Sequence, residues 1–244
     1  MRKIYTFLVI GLFTGFLLGG YLGSKTVYVY TETIQTNTIN PNENISLASI
    51  KVPAVDQNGL GVATDLVVGV KPGTGKNLVD INSLLFWVDT QYSIRTAVDV
   101  AESITGKDAS IYDFSYGINA NASLIGGGSA GAALTIATIA ALRNTTINPE
   151  IMITGTINPD GSIGPIGGVL EKAKAAKDVG AKIFLVPSGQ AYEITYKSRR
   201  HCEHVGFNEI CTIETIPIKR IVGNEVDIEI KEVGDINDAL EYFF

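Results

Sequence analysis

The sequence predicts a mixed α/β domain of the α+β class, because strand-like and helix-like segments follow one another without a strict strand–helix–strand repeat. The 244 residues are 45% hydrophobic and 18% charged, which is typical of a folded globular protein with room for one sizeable domain. An uncharged apolar run near the amino terminus predicts one membrane-spanning helix before this domain.

Residues 1–23 are predicted to form this transmembrane anchor. Arg2 and Lys3 precede an uncharged run that is just long enough to cross a hydrocarbon layer of roughly 30 Å as a helix. The basic amino end favours a cytoplasmic amino terminus, so we expect a single-pass membrane protein with the rest of the chain outside the cytoplasm. A cleavable signal peptide is the alternative, since the small residues Gly23 and Ser24 follow the run.

Residues 24–45, rich in threonine and asparagine, are predicted to form a stalk or linker, and residues 46–244 the folded domain. Strands are indicated by short β-rich apolar segments, and helices by apolar residues three and four positions apart, such as Ile94, Ala97 and Val98. The elements expected in chain order are strands in "ASIKVPAV", "GLGVATDLVVGVKP" and "NLVDI", a helix opened by Asp89 or Thr90, a strand in "SIYDFSYGI", a helix from about 129 to 142, a strand in "EIMITGTI", a turn in "GSIGPIGG", a helix from about 168 to 179, a strand in "AKIFLVP" and a final helix in "DINDALEYFF".

The charge balance argues against a nucleic-acid partner. The net charge is -6 and the isoelectric point is near 5.0, whereas a nucleic-acid surface needs a clustered positive face. We therefore expect no nucleic acid among the partners.

The stretch "VKPGTGKN" has some features of a phosphate-binding loop around Lys76. Such a loop needs a glycine six positions before the lysine, where this chain has Val70, and Ser or Thr after it, where this chain has Asn77. The stretch is therefore predicted to be a glycine-rich hairpin turn between two strands.

All histidines and cysteines of the chain fall in "HCEHVGFNEIC", inside a segment from about 191 to 223 that looks like an insertion. Outside the cytoplasm, Cys202 and Cys211 are most simply a disulfide. A zinc site that adds His201 and His204 is the alternative, but the spacing fits no common metal motif, so no metal is predicted. A Ser-His-Asp triad would have to recruit a histidine from this same segment.

The stretch "LIGGGSAGAAL" presents Ser129 where a glycine loop enters a helix. Backbone N–H groups at such a place can stabilise a developing oxyanion. Gly127 and Gly128 keep side chains away from a substrate. The alternatives are a phosphate cradle, or a plain helix cap followed by small residues that pack closely.

A serine nucleophile without histidine needs another base, and a lysine can serve if its amine is neutral. Lys172 lies on the apolar stripe of its predicted helix, whereas Lys174 and Lys177 lie on the charged face. Burial and the positive helix amino end would both lower the pKa of Lys172. The alternative is a lysine that reaches past small residues to water.

Together, "GGGSAGAALTIATIAAL" and "MITGTINPDGSIGPIGGVLEKAKAAKDVGAKIFLVP" resemble the proteolytic domain of Lon proteases, most strongly over residues 121–190. Ser129 matches the serine of the family's PSAG-like box, and Lys172 matches the lysine of its GG-x-x-x-K box. The resemblance implies the Lon proteolytic-domain fold and a Ser-Lys dyad in which Lys172 deprotonates Ser129. Thr154 matches the threonine that orients the lysine, and the family often assembles as a ring, which here implies a homo-oligomer with a hexamer as the expected ring.

The chain departs from the family in its glycine loop and in its organisation. Gly128 replaces the usual proline, and Gly126 stands where many members carry aspartate. No complete phosphate loop is present and the chain has no room for an unfoldase, so it resembles the membrane-anchored, ATPase-free Lon-like type found in archaea. This resemblance implies an ATP-independent serine endopeptidase without cofactors, which cuts unfolded or flexible polypeptides at the outer face of a membrane.

Two other functions stay open at this point. One is a small-molecule kinase of the GHMP type, in which a glycine-rich loop binds the phosphates of ATP. The other is a non-catalytic, membrane-anchored adaptor domain. Lys172 in its box argues against the kinase, which does not require it, and so does an anchor that would place the site where ATP is scarce.

Overall fold

The computed structural model describes residues 45–80, 85–86, 88–119, 124–125, 127–205 and 207–244, which lie within one unit, Glu43–Phe244. Strands and helices alternate along this part of the chain, which confirms the predicted mixed α/β class. The strands are β1 (Ser46–Val55), β2 (Gly61–Pro72), β3 (Asn77–Val79), β4 (Leu85–Phe86), β5 (Tyr112–Asn119), β6 (Leu124–Ile125), β7 (Ile151–Ile153), β8 (Thr156–Ile157), β9 (Ile163–Gly164), β10 (Ile183–Pro187), β11 (Tyr192–Val205), β12 (Asn208–Ile221) and β13 (Glu229–Val233). The helices are α1 (Val88–Thr105), α2 (Gly131–Arg143), α3 (Val169–Asp178), α4 (Val222–Val226) and α5 (Ile236–Phe243), with 3₁₀ turns at Ala109–Ile111 and Gly128–Ala130.

The first sheet has the strand order β1-β2-β5-β3 and covers one side of the main core. β1 and β5 both run antiparallel to β2, and β3 runs parallel to β5. Burial follows the period of two expected for a sheet with one face on a core. The buried positions are Ala48, Ile50 and Val52 in β1, Leu66, Val68 and Val70 in β2, and Phe114, Tyr116 and Ile118 in β5.

Helix α2 forms the centre of the core and lies against β1, β2 and α1. Every residue from Gly131 to Leu142 is buried, which agrees with a sequence that is apolar or small on all sides of the helix. The first turn comes unusually close to β8, because a Cβ added at Gly131 would lie 2.7 Å from the backbone nitrogen of Ile157. Close packing therefore fixes where the amino end of α2 lies.

A second sheet, with the parallel order β13-β10-β7, holds a smaller apolar cluster. The continuous apolar run of β10 is typical of a strand covered on both faces, and Phe184, Leu185 and Val186 are all buried. Helix α3 joins the cluster through Val169 and Ala173 and also contacts β1 and β2.

The segment predicted as an insertion forms a long β-hairpin. β11 and β12 pair antiparallel over their whole length, from Tyr192 opposite Ile221 to Val205 opposite Asn208. Cys202 and Cys211 lie directly opposite each other and are joined by a disulfide bond.

The loop around Lys76 is not the hairpin turn predicted from the sequence. β5 lies between β2 and β3, so the loop crosses the end of β5 instead of joining paired neighbours. Asp113 at the start of β5 holds the loop, because its Oδ1 accepts hydrogen bonds from Thr74 N at 2.8 Å and Lys76 N at 3.0 Å. This contact between distant residues overrides the local turn signal.

No helix among the described residues combines the length and the apolar composition needed to cross a bilayer. The predicted anchor, residues 1–23, lies outside the described residues, as does the predicted linker up to residue 44. Both stay predictions.

Candidate active site

The serine loop leads into α2 through a 3₁₀ turn at Gly128–Ala130. Gly127, just before the turn, has φ +99° and ψ 136°, a conformation that residues with a side chain rarely adopt. Ser129 is half-buried within the turn. The first N–H groups of a helical run have no partner inside the helix, so the N–H groups around Ser129 lie at a position suited to hydrogen bonding a negative oxygen.

The backbone of Ser129 is bound to the junction between β7 and β8. Its carbonyl oxygen accepts hydrogen bonds from Gly155 N at 2.9 Å and from Thr154 Oγ1 at 3.2 Å. Ala132 N donates back to the carbonyl oxygen of Gly155 at 3.0 Å. The sequence predicts one strand through this region, and the structure breaks it at Thr154 and Gly155, which are used to bind the serine loop.

Lys172 projects inward from the first turn of α3, and only 4% of its surface is exposed. Gly168, at φ +68°, precedes the helix as its N-cap, and the Lys172 N–H donates to the Gly168 carbonyl at 3.0 Å. Lys174 and Lys177 on the same helix are exposed, as the helical pattern of the sequence predicts.

The amine of Lys172 donates a long hydrogen bond of 3.4 Å to Thr154 Oγ1. Burial lowers the pKa of Lys172 from 10.5 to about 8, because the charged ammonium loses its hydration. A much larger fraction of this amine is therefore neutral near pH 8 than for an exposed lysine.

Thr154 connects the other two residues. Its hydroxyl donates to the Ser129 carbonyl and accepts from Lys172 Nζ, and the threonine itself is fully buried. The structure thus brings Ser129, Thr154 and Lys172 together from the start of α2, the β7–β8 junction and α3. This arrangement combines a hydroxyl at a helix start with a buried amine of lowered basicity.

Asp89 contacts the serine loop, whereas the sequence pattern predicts only a helix cap at this position. Its Oδ2 accepts a hydrogen bond of 2.7 Å from Gly127 N. The helix begins at Val88, so Asp89 lies in the first turn of α1. The two residues are 38 positions apart, and no spacing rule links them. Gly126, the other loop position noted in the sequence, lies outside the described residues.

The remaining site candidates lie on the hairpin. His201 and His204 are exposed on β11, and the His201 ring lies 3.1 Å from a Glu203 carboxylate oxygen. Cys202 and Cys211 are disulfide-bonded. Sulfurs in a disulfide are not thiolate ligands, so the zinc alternative does not apply to this oxidised form.

The fold and the site together define the class of protein. It is a mixed α/β domain with a serine at the start of a helix, and a threonine that donates a hydrogen bond to the carbonyl of this serine and accepts one from a buried lysine. Residues 113–220 match the model of the Lon protease (S16) C-terminal proteolytic domain, over somewhat less than half of the chain. All three residues fall within the matched segment. The match confirms the resemblance to the Lon proteolytic domain and suggests serine peptidase activity.

Similar full-length proteins are bacterial and archaeal Lon proteases. The chain is 37% identical over 95 residues to the Lon protease of Buchnera aphidicola, which covers 39% of this chain and 11% of that protein. It is 28% identical over 141 residues to the archaeal Lon protease of Archaeoglobus fulgidus, covering 58% and 21%. For the archaeal Lon protease of Thermoplasma acidophilum, the identity is 27% over 157 residues, covering 64% and 23%. The chain therefore spans less than a quarter of the length of these relatives.

Proposed function

We propose that this protein is a serine endopeptidase that hydrolyses unfolded or flexible polypeptides with Ser129 as nucleophile and Lys172 as general base. The observation that carries the proposal is the buried Lys172 amine, with a pKa of about 8, hydrogen-bonded to the threonine that binds the Ser129 carbonyl. Such an amine can accept a proton near neutral pH, which an exposed lysine does poorly.

In the proposed reaction, neutral Lys172 takes the proton of the Ser129 hydroxyl while Oγ attacks the carbonyl carbon of the peptide. The lysine ammonium then gives this proton to the nitrogen of the leaving amine, and the C–N bond breaks. The acyl group remains as an ester on Ser129. Lys172 next deprotonates a water molecule that attacks the ester, and the proton returns to Ser129 Oγ as the acid leaves.

The glycine loop and Thr154 have supporting roles in this proposal. Gly127 and Gly128 leave space for the substrate, and N–H groups at the start of the helical run stabilise the tetrahedral oxyanion. Thr154 accepts a hydrogen bond from Lys172 Nζ and so restricts where the amine lies.

We further propose that the reaction is independent of ATP. In the loop around Lys76, the N–H groups of Thr74 and Lys76 are bound to the Asp113 carboxylate, whose negative charge would repel a phosphate. This contact argues against nucleotide binding at the loop. Unfolded or flexible chains are the proposed substrates, because a peptidase that does not use ATP needs segments that are already extended.

The proposed location is the outer face of a membrane, through an anchor at residues 1–23, with assembly into a homo-oligomer for which a hexamer is the expected ring. The disulfide between Cys202 and Cys211 supports an oxidising compartment.

The full chain in detergent, with fluorescently labelled casein as substrate, tests the proposal. We expect cleavage without ATP at a rate that added ATP does not change, and a loss of at least about 100-fold in Ser129→Ala and in Lys172→Ala. Ser110→Ala and Lys174→Ala, which change exposed residues, are the matched controls and should keep the wild-type rate.

Equal rates for wild type and Ser129→Ala would refute the peptidase. A folded wild-type protein without any cleavage would favour the adaptor alternative, and ATP-dependent phosphorylation of a small molecule would favour the kinase. Cross-linking in detergent, with and without residues 1–23, tests the oligomer.

A further inference from the structure

We propose that Asp89 is a positioning residue, which fixes the loop before Ser129 and thereby determines which backbone N–H groups can meet the substrate. The inference rests on the proposed peptidase function and concerns how its serine loop is held.

The Asp89 carboxylate joins two elements. Oδ1 accepts from Thr90 N at 2.8 Å within the first turn of α1, and Oδ2 accepts from Gly127 N at 2.7 Å. Hydrogen bonds from a neutral N–H to a carboxylate are short and stronger than those between neutral groups. Ser93 Oγ also donates a hydrogen bond to the Asp89 carbonyl at 3.1 Å, which restrains the backbone of Asp89 as well.

The loop needs such a contact because Gly127 is conformationally free. Its φ of +99° suits glycine, and among the described residues no heavy atom lies within 4 Å of a Cβ added there, so a side chain at this position would have no packing partner in that part of the chain. On the other side of Ser129, the carbonyl group is held by Gly155 and Thr154. Asp89 therefore fixes the backbone on the amino-terminal side of Ser129, and the β7–β8 junction fixes it on the carboxyl-terminal side.

The contact also limits which N–H groups can stabilise an oxyanion. The Gly127 N–H is bound to Asp89, so it does not face a substrate. The N–H groups of Gly128 and Ser129 come next and precede the first hydrogen bonds of the helical run. We assign the oxyanion contacts to these two groups.

The test compares Asp89→Ala with Asp89→Asn in the full chain, using an unstructured fluorogenic peptide. Alanine removes the acceptor, and we expect kcat to fall about 10- to 100-fold with KM within about threefold, since loss of a whole oxyanion donor costs about 100- to 1000-fold. Asparagine keeps an oxygen that can accept from Gly127 N, so it should retain kcat within about threefold of wild type. Asp108→Ala, which removes a carboxylate bound to Ser110 N in a different turn, should leave both constants unchanged.

Hydrogen–deuterium exchange of the peptide 124–131 gives a second readout that does not depend on activity. We expect faster exchange there in Asp89→Ala, with wild-type rates in Asp89→Asn and Asp108→Ala. Unchanged kcat and unchanged exchange in Asp89→Ala would overturn the inference, as would equal loss of kcat in both Asp89 variants. If Asp89→Ala fails to fold, Asp89→Leu takes its place: it also lacks an acceptor for Gly127 N, so the same losses support the inference, and wild-type kcat with wild-type loop exchange overturns it. If hydrogen exchange of the loop responds to Asp89→Ala as expected but the wild-type protein shows no cleavage that depends on Ser129, the positioning role of Asp89 is supported and the proposed peptidase function is refuted.

Discussion

Replacing Lys172 by methionine should make the protein more stable at neutral pH. The side chain is 4% exposed, and burial lowers its pKa from 10.5 to about 8. A tenfold change in proton affinity is worth about 1.4 kcal/mol, so the charged amine costs the folded state about 3 kcal/mol at pH 7. Methionine has a stem of similar length without the charge, and it loses only the 3.4 Å bond to Thr154.

The gain should depend on pH in a defined direction. Between pH 8 and 10.5 the unfolded chain binds more protons at this lysine than the folded chain does, so wild type regains stability as the pH rises. The advantage of Lys172→Met should therefore shrink from about 3 kcal/mol at pH 7 to about 1 kcal/mol at pH 10.

Thermal unfolding followed by circular dichroism at pH 7 and pH 10 measures this difference. We expect the midpoint of Lys172→Met to lie roughly 6 to 12 °C above wild type at pH 7. Lys174→Met is the control, because it removes an exposed lysine from the same helix and should shift the midpoint little at either pH. A Lys172→Met variant that is no more stable than wild type at pH 7, or whose gain is equally large at pH 10, would refute the reasoning.

Four further outcomes are expected. The rate constant kcat/KM should rise with pH through a midpoint near 8 as the buried lysine loses its proton; a profile that is flat from pH 6.5 to 9 would contradict its role as base. Thr154→Val, which keeps the shape and removes the hydroxyl, should lower kcat about tenfold and stability by about 1 kcal/mol in urea titrations; wild-type kcat would show that the hydroxyl does not orient the amine. Gly131→Ala should destabilise the fold by about 1 to 3 kcal/mol in the same titrations, because the new methyl group would lie 2.7 Å from the backbone nitrogen of Ile157 in β8. Gly117→Ala, whose Cβ would have no neighbour within 4 Å among the described residues, is the control, and equal effects would argue against the close approach. The double variant Cys202→Ser with Cys211→Ser should show faster hydrogen exchange in the hairpin and wild-type kcat, because a lone two-stranded hairpin is marginally stable; exchange equal to wild type would show that the disulfide is not needed to hold the hairpin.

Local periodicity predicted the features that depend on one element. The inward position of Lys172 follows from the helical spacing of α3, and the burial of α2 follows from its small and apolar composition. The two sequence boxes around Ser129 and Lys172 also predicted the Lon resemblance that the family match over residues 113–220 confirms.

Features that depend on contacts between distant residues could not be predicted in this way. β5 inserts between β2 and β3, and Asp113 then binds the loop that local turn signals assigned to a hairpin. Similarly, β7 and β8 are separated at Gly155, where a Cβ would lie 2.3 Å from the side chain of Ile163. The contact of Asp89 with Gly127 is a third case, because it depends on how α1 lies beside the serine loop.

The energetic cost of Lys172 bears on the choice between a peptidase and a non-catalytic adaptor. An amine that destabilises the fold by about 3 kcal/mol, with one long hydrogen bond to offset this, is a poor choice for a residue that only packs. Methionine or leucine would fill the same space without the cost. For a general base the same burial is useful, because a pKa of about 8 leaves a fraction of the amine neutral near physiological pH. The unfavourable burial of Lys172 is therefore the strongest physical argument for a catalytic domain over a non-catalytic adaptor.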